Sequence, residues 1–273
     1  MAYPTIDAPY GLKPINLIGG QVFAGSTREL PITYGYATNI FYGDFVTLVR
    51  GNLERITVST GVVGTLMGVF LGCSFTNPIT KQKQFSQYWP ASTLAGDAVA
   101  IVSDDPDAVF RVAMVSGTTV IASGARAMIG QNLAAVNNTG STNTGNSANA
   151  VLADTSIALT AALPIRVMGL VPDTAIQLGT AVYGSASSAT ITVSALNCTP
   201  MVGCDVGSLA ANGQYIASGS YVASLTNSTT VVLNAAPLVA FAASAVIVFT
   251  QYPEILAKIN FGLHKYYAGT AVA

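Results

Sequence analysis

Three groups of residues in this sequence could carry chemistry: the single histidine, His264, the acidic run Asp104-Asp105-Pro106-Asp107, and the cysteines Cys73, Cys198 and Cys204. A serine or cysteine triad would have to use His264, yet no Gly-x-Ser-x-Gly elbow or comparable nucleophile context accompanies it. Lys265, Tyr266 and Tyr267 follow it, and its plainer reading is a surface or interface residue at the end of a strand. The acidic run supports two readings. Clustered carboxylates could hold calcium, but a calcium loop needs more oxygen ligands at regular spacing, and a solvated hairpin turn accounts for the same residues. The cysteines are odd in number and lack paired metal spacing, so they read as buried thiols of an intracellularly made protein, with a Cys198 to Cys204 bridge left open. No glycine-rich phosphate loop opens a helix after a strand, and no His/Cys cluster has ligand spacing. Any two of the twelve acids could meet as a glycosidase pair, although so few acids argue against a catalytic cleft. The expectation is a protein with no catalytic, cofactor or metal site, and not an enzyme.

The elements that must position these residues share one cadence. Leu94-Ala95-Gly96-Asp97-Ala98-Val99-Ala100-Ile101-Val102 places a Gly-Asp pair before a run rich in β-branched residues, and Phe41-Tyr42-Gly43-Asp44-Phe45-Val46-Thr47-Leu48-Val49 repeats it. Looser copies occur at Ile129-Gly130-Gln131-Asn132-Leu133 and Val202-Gly203-Cys204-Asp205-Val206. Glycine supplies a positive φ, the acid bonds backbone just beyond it, and β-branched side chains suit a pleated, half-buried surface. The cadence therefore reads as a turn entering a strand.

Short apolar runs at Leu30 to Tyr34, Phe45 to Val49, Arg55 to Ser59, Leu66 to Phe75, Ala98 to Ser103 and Val109 to Val115 alternate with turn residues, without a helical period. That spacing predicts antiparallel sheet. Residues 137 to 150, all small or polar, predict an exposed loop, mobile unless a partner orders it. Strand-like sequence resumes at Ile157 to Leu159 and at Ile165 to Leu170. From 186 to 250 Asp205 is the only charged residue, and the Thr/Val-rich runs there form a small β module of their own. Glu254-Ile255-Leu256-Ala257-Lys258-Ile259-Asn260-Phe261 then alternates like a half-buried strand in the earlier style, which makes the module an insertion.

The prolines at 4, 9 and 14 block helix and central strand alike, so residues 1–20 read as an extended arm whose Tyr3, Tyr10, Leu12 and Ile15 need a surface to lie on. The predicted fold is mainly β. It comprises the arm (1–20), an antiparallel β-barrel or sandwich domain (21–185 plus 251–273) and the inserted small β domain (186–250).

Charged residues make up only 8% of the 273 positions, against roughly 25% in ordinary soluble domains. A free monomer needs a charged surface, so other chains are expected to cover much of this one. The scattered basic residues form no phosphate-tracking stripe, which argues against direct nucleic-acid binding. The first eleven residues lack the basic start and apolar core of a secretory signal. The uncharged stretch from Val231 to Phe249 is broken by Asn234, Pro237 and Ser244, and two strands joined at Ala-Pro-Leu explain it better than a helix in lipid. No membrane contact is expected.

Three segments carry a resemblance: Ala8-Pro9-Tyr10-Gly11-Leu12-Lys13-Pro14, Tyr34 to Val46 with its Gly43-Asp44, and Ile255-Leu256-Ala257-Lys258-Ile259-Asn260-Phe261-Gly262-Leu263-His264. Together they resemble structural proteins of tailed bacteriophages, and the first two look like a family of head proteins that decorate or cement the capsid. Residues 186–250 are similar to small Thr/Val/Gly-rich β modules of phage head and tail proteins. The resemblance implies a virion protein made in the host cytoplasm and bound to the capsid's outer surface. It would often act as a homotrimer, bridging subunits of the major capsid protein of the same phage, with Tyr3, Tyr10, Leu12 and Ile15 as contact residues. A tail or adaptor component is the main rival. A carbohydrate- or host-surface-binding β protein is a further alternative; it would expose aromatics in a groove on the insert, where Tyr215, Tyr221 and Phe241 are too few to argue for one.

Overall fold

The computed structural model describes residues 9–18, 20–56, 66–115, 126–152, 163–171, 174, 177–193, 206–209, 215–217, 220–227, 229–249 and 252–267. The chain is mainly β, as the spacing of its apolar runs predicts, and divides into two compact units. One holds Pro9–Ala113, Arg126–Leu170 and Ile255–Ala273, and most of the other is Val171–Glu254.

In the first unit, β1 (Lys13–Leu17), β2 (Arg28–Pro31), β3 (Phe45–Val49), β4 (Asn52–Arg55), β5 (Gly68–Thr76), β6 (Lys83–Ser86), β7 (Val99–Ser103), β8 (Ala108–Val115), β9 (Asn132–Val136), β10 (Ala150–Leu152), β11 (Ile165–Leu170) and the late strand β18 (Glu254–Ile259) build two sheets. One runs β2-β7-β5-β3-β4, with β6 added to β5. Its outer strands approach through a bridge between Ile32 and Leu53. The other runs β1-β8-β10-β9-β11-β18, and β18 also pairs with β8, which closes β8, β10, β9, β11 and β18 into a five-stranded barrel. Closure removes the free edges that an open sheet would present.

Each Gly-Asp copy, strict or loose, is followed by a strand: β3 after Asp44, β7 after Asp97, β9 from Asn132 and, in the second unit, β14 (Val206–Leu209) after Asp205. The core of the first sheet is aromatic. Trp89 is fully buried, meets Phe75 edge-on at 5.3 Å and donates its indole N–H to the Tyr36 carbonyl at 3.3 Å. An indole buried without an acceptor would be destabilised by its lost hydration, so this bond matters to the packing.

The described part of the expected arm is not free. Residues 13–17 form β1, paired antiparallel with β8, and Leu12 is fully buried. Leu12 donates its N–H to the Gly43 carbonyl at 3.1 Å. Gly11 (φ +80°) and Gly43 (φ +92°) pass so closely that a Cβ on Gly11 would lie 2.7 Å from the Gly43 oxygen. Only glycine allows both the backbone angle and the approach.

In the second unit, β14, β17 (Phe241–Phe249), β12 (Gln177–Gly184), β13 (Thr190–Val193), β16 (Thr230–Leu233) and β15 (Val222–Leu225) lie in that order in one antiparallel sheet. Ile191, Val193, Val222, Val231, Leu233, Ile247 and Phe249 form its dry core. The stretch from Val231 to Phe249 falls in two strands with a connection at 234–240, and no helix among the described residues is long and apolar enough to cross a membrane. The unit begins earlier than the expected residue 186, because Gln177–Gly184 pairs with β13 and β17 and so belongs to this sheet. Its composition gave no warning, since Gln177–Gly184 carries no charge but lies before the Ser/Thr-rich shift. The strands that flank it in sequence, β11 and β18, pair with each other in the first unit, which is the topology of an insertion.

Candidate functional site

The two acid–base candidates of the sequence meet. Lys258 on β18, Arg28 on β2 and the turn 104–107 between β7 and β8 surround the C-terminal residues 264–267. His264 is fully buried. Its Nε2 lies 3.1 Å from the Asp104 carbonyl oxygen, and its Nδ1 lies 3.3 Å from the Tyr266 backbone N–H. An N–H can only donate, so Nδ1 is the acceptor and Nε2 carries the proton that is donated to Asp104. Both ring nitrogens are therefore engaged in this arrangement. Burial pushes the His264 pKa down, against the raising effect of the Asp104 bond and of the Asp104 and Asp105 charges. The ring is the neutral tautomer.

The Asp104 carboxylate receives the Tyr266 hydroxyl and forms an ion pair with Arg28 Nε at 3.1 Å. Arg28 also lies over the Tyr266 ring, 5.2 Å from its centre. Burial raises the Tyr266 pKa, and the Asp104 hydrogen bond and charge raise it further. The other two acids face elsewhere. Asp105 accepts the Asp107 N–H at 2.8 Å, and Asp107 contacts Lys258 at 3.4 Å. Among the described residues no three His, Cys, Asp or Glu side chains are arranged to hold a metal. The acidic run is a turn but not the expected solvated hairpin, because the strands it joins, β7 and β8, lie in different sheets and Asp104 is buried.

A second buried network centres on Asp44, which is fully buried. Its Oδ2 accepts the Phe41 N–H at 2.8 Å and sits 2.7 Å from Arg55 Nε, and its Oδ1 accepts the Ser147 hydroxyl at 2.6 Å. Asn149 N–H donates to Ser147 Oγ at 2.9 Å, and Asn138 N–H to Asn149 Oδ1 at 3.0 Å. Arg55 Nη2 closes the ring on the Asn138 carbonyl at 2.7 Å. The segment 137–150 is therefore tied down by its own chain and needs no partner to order it. Gly140 lies against the Phe41 ring, where a Cβ would come within 2.5 Å. The sequence signal for this anchor was only Ser147-x-Asn149 opposite a buried acid, and nothing in a polar run marks which hydroxyl turns inward.

Cys73 is buried and its thiol is pushed up to about 12 by burial, as expected of an inert core thiol; Cys198 and Cys204 lie outside the described residues. Of the four expected contact residues, Tyr3 also lies outside them. Leu12 is consumed by the chain's own core, and this corrects its assignment as a contact residue. Tyr10 is half-buried with Lys13 Nζ over its ring at 4.1 Å, and Ile15 is 38% exposed.

Other apolar side chains, which the strand pattern did not single out, stand further into solvent. Ile79 is 88% exposed, Phe85 81% and Val22 79%. Phe85 borders an open cleft of about 470 Å³ lined by Tyr42, Leu71, Cys73 and Ile101, with no charged residue in its wall. On the module, Tyr215 packs on the buried Phe241 at 5.5 Å and only Tyr221 of the three suggested aromatics is exposed, so these three do not form an aromatic groove. No protein-family model, curated protein sequence or solved structure matches the chain.

Proposed function

We propose that this chain is a structural protein of a bacteriophage virion, one that binds the outer surface of the assembled capsid and stabilises it by bridging major capsid subunits. The observation that carries the reading is the pairing of a very low charge content, 8%, with large apolar side chains left in solvent at Val22, Ile79 and Phe85. Isolated apolar residues on a surface are ordinary. On a chain with few charges to keep it dispersed, they fit a protein that works while covered by others.

The mechanism is mass action. A ligand that binds the assembled shell and not its dissociated subunits stabilises the shell by its binding free energy, and symmetry-repeated weak contacts add through multivalency. His264, Asp104 and Asp44 then serve to hold loops and termini in place. The test is a copy count on washed particles of the parent phage by quantitative gel analysis. Hundreds of copies, with greater resistance of the shell to heat, support the capsid reading. A dozen or fewer would move the protein to a vertex or the tail, and none would remove the virion reading.

A further inference from the structure

We propose that the C-terminal segment 261–267 is a proton-operated clasp: it is held shut by neutral His264 and released when that ring takes up a proton.

The segment is fastened at three points. Leu66 N–H donates to the Leu263 carbonyl and Lys265 N–H to the Leu66 carbonyl, both at 2.8 Å. His264 donates from Nε2 to the Asp104 carbonyl while its Nδ1 accepts the Tyr266 N–H, and the Tyr266 hydroxyl reaches the Asp104 carboxylate. Protonating Nδ1 sets two donors against each other at 3.3 Å and puts a full charge on a ring with no solvent exposure. Both effects oppose the closed form.

The charged and titratable groups around the ring come from every element packed on it. Asp104 and Asp105 on the turn favour the imidazolium, and Lys258 on β18 opposes it. Arg28 on β2 is paired to Asp104 and so offsets the nearest favourable charge. Tyr266 and Tyr267 place their rings 5.0 Å and 6.0 Å from the imidazole, and burial and the Asp104 bond raise the Tyr266 pKa and keep its hydroxyl neutral. The strand entry at Leu66 and Met67 brings no charge. Burial outweighs the favourable acids.

The sign follows. A ring that binds its proton less well when closed than when open gives the closed form its full stability above the ordinary imidazole range, and that stability is lost as pH falls through it. One proton changes the opening equilibrium by at most about tenfold per pH unit.

The chain has one histidine; the α-amino group titrates only near the top of this window and the raised Asp44 carboxyl lies in a separate network, so a histidine variant assigns the response. The experiment is therefore direct. Amide hydrogen exchange is followed at Leu66 and Lys265 between about pH 7.5 and pH 5, corrected for intrinsic exchange, alongside the NMR titration of the His264 ring in the intact protein. Opening that grows several-fold on acidification, tracking a ring pKa below the ordinary value, is the expected result. Corrected exchange that stays flat across the range would overturn the clasp. So would a ring that titrates at its ordinary value. In His264→Gln, whose side chain cannot be protonated, the pH dependence should vanish. If His264→Gln does not fold, Tyr266→Phe serves: it removes the Asp104 hydrogen bond and should raise opening at both pH values while keeping the acid-dependent increment. Loss of that increment in Tyr266→Phe, or its persistence in His264→Gln, would assign the pH response to a group other than the ring.

Discussion

Asp44 and Asp97 both follow a glycine and both precede a strand, yet their surroundings are opposite. Asp44 lies at zero exposure inside a ring of hydrogen bonds that ties residues 137–150 to β3 and β4. Asp97 stands in solvent, where it accepts the Thr76 N–H at 3.0 Å and hydroxyl at 2.7 Å and pairs with Lys83 at 3.1 Å. Burial drives the Asp44 pKa up past the lowering effect of Arg55, whereas hydrogen bonds from Thr76 and then Lys83 drive the Asp97 pKa down. The same dipeptide fixes the same backbone step, and the surroundings, burial for Asp44 and hydrogen bonds at the surface for Asp97, decide how the carboxylate titrates.

The largest effect belongs to Asp44→Ala. It strands Arg55, whose side chain is only 10% exposed, and removes the acceptor of Ser147 and of Phe41. Breaking a buried ion pair from one side costs about 3–5 kcal/mol, to be read from urea unfolding. A loss below about 1 kcal/mol, the size of a surface pair, would erase the contrast with Asp97. Next comes Gly43→Ala, where the new Cβ meets Leu12 N at 2.9 Å with φ at +92°; about 1–3 kcal/mol is expected from strain of this kind. Ser147→Ala leaves one oxygen of Asp44 and the Asn149 N–H without their bonds, and about 1–3 kcal/mol follows from unsatisfied buried groups.

The smallest effect belongs to Asp97→Ala, whose urea midpoint should move by a small fraction of the Asp44→Ala shift. Any stabilisation Asp97 gives should weaken as salt shortens the Debye length to about 3 Å, while the Asp44 effect persists. Their pH dependences have opposite signs. Asp97, with its pKa lowered on folding, contributes stability above the ordinary carboxylate range that is lost as pH falls through it. Asp44, with its pKa raised, holds its proton more readily when folded, so its contribution declines as pH rises through the window just above that range. Stability against pH for wild type, Asp44→Asn and Asp97→Asn separates the two, and slopes of the same sign would contradict the account.

What could be read from sequence was the local step. Phe45 to Val49 and Ile165 to Leu170 were placed to the residue, and Leu66 to Phe75, Ala98 to Ser103 and Val109 to Val115 to within two residues, because β-branched runs bounded by glycine and acids carry a period that needs no partner. The return of the last strand, β18, to the first domain was legible in its Glu254 and Lys258, which set it apart from the uncharged module; its particular partner β8 was not, since the two are far apart in the chain. β1 was hidden by Pro14, which suits a sheet edge where its missing N–H breaks no ladder. The meeting of His264 with Asp104 was equally hidden. His264 stood alone in the sequence and Asp104 belonged to a distant acidic run, and only the fold shows that this turn presents both a carbonyl and a carboxylate to His264 and Tyr266.

The same contrast bears on function. Where the chain buries charge it does so to hold its own loops, and its outward surface carries, beside a few charges, apolar side chains such as Ile79 and Phe85. The measurement that tests the central proposal most directly compares binding of the purified protein to assembled empty shells and to unassembled capsid subunits of the parent phage. A protein that stabilises the shell by mass action must bind shells to saturation and subunits weakly or not at all, with Phe85→Ser and Ile79→Ser weakening the shell binding. Equal affinity for shells and free subunits, or binding to neither, would contradict the account.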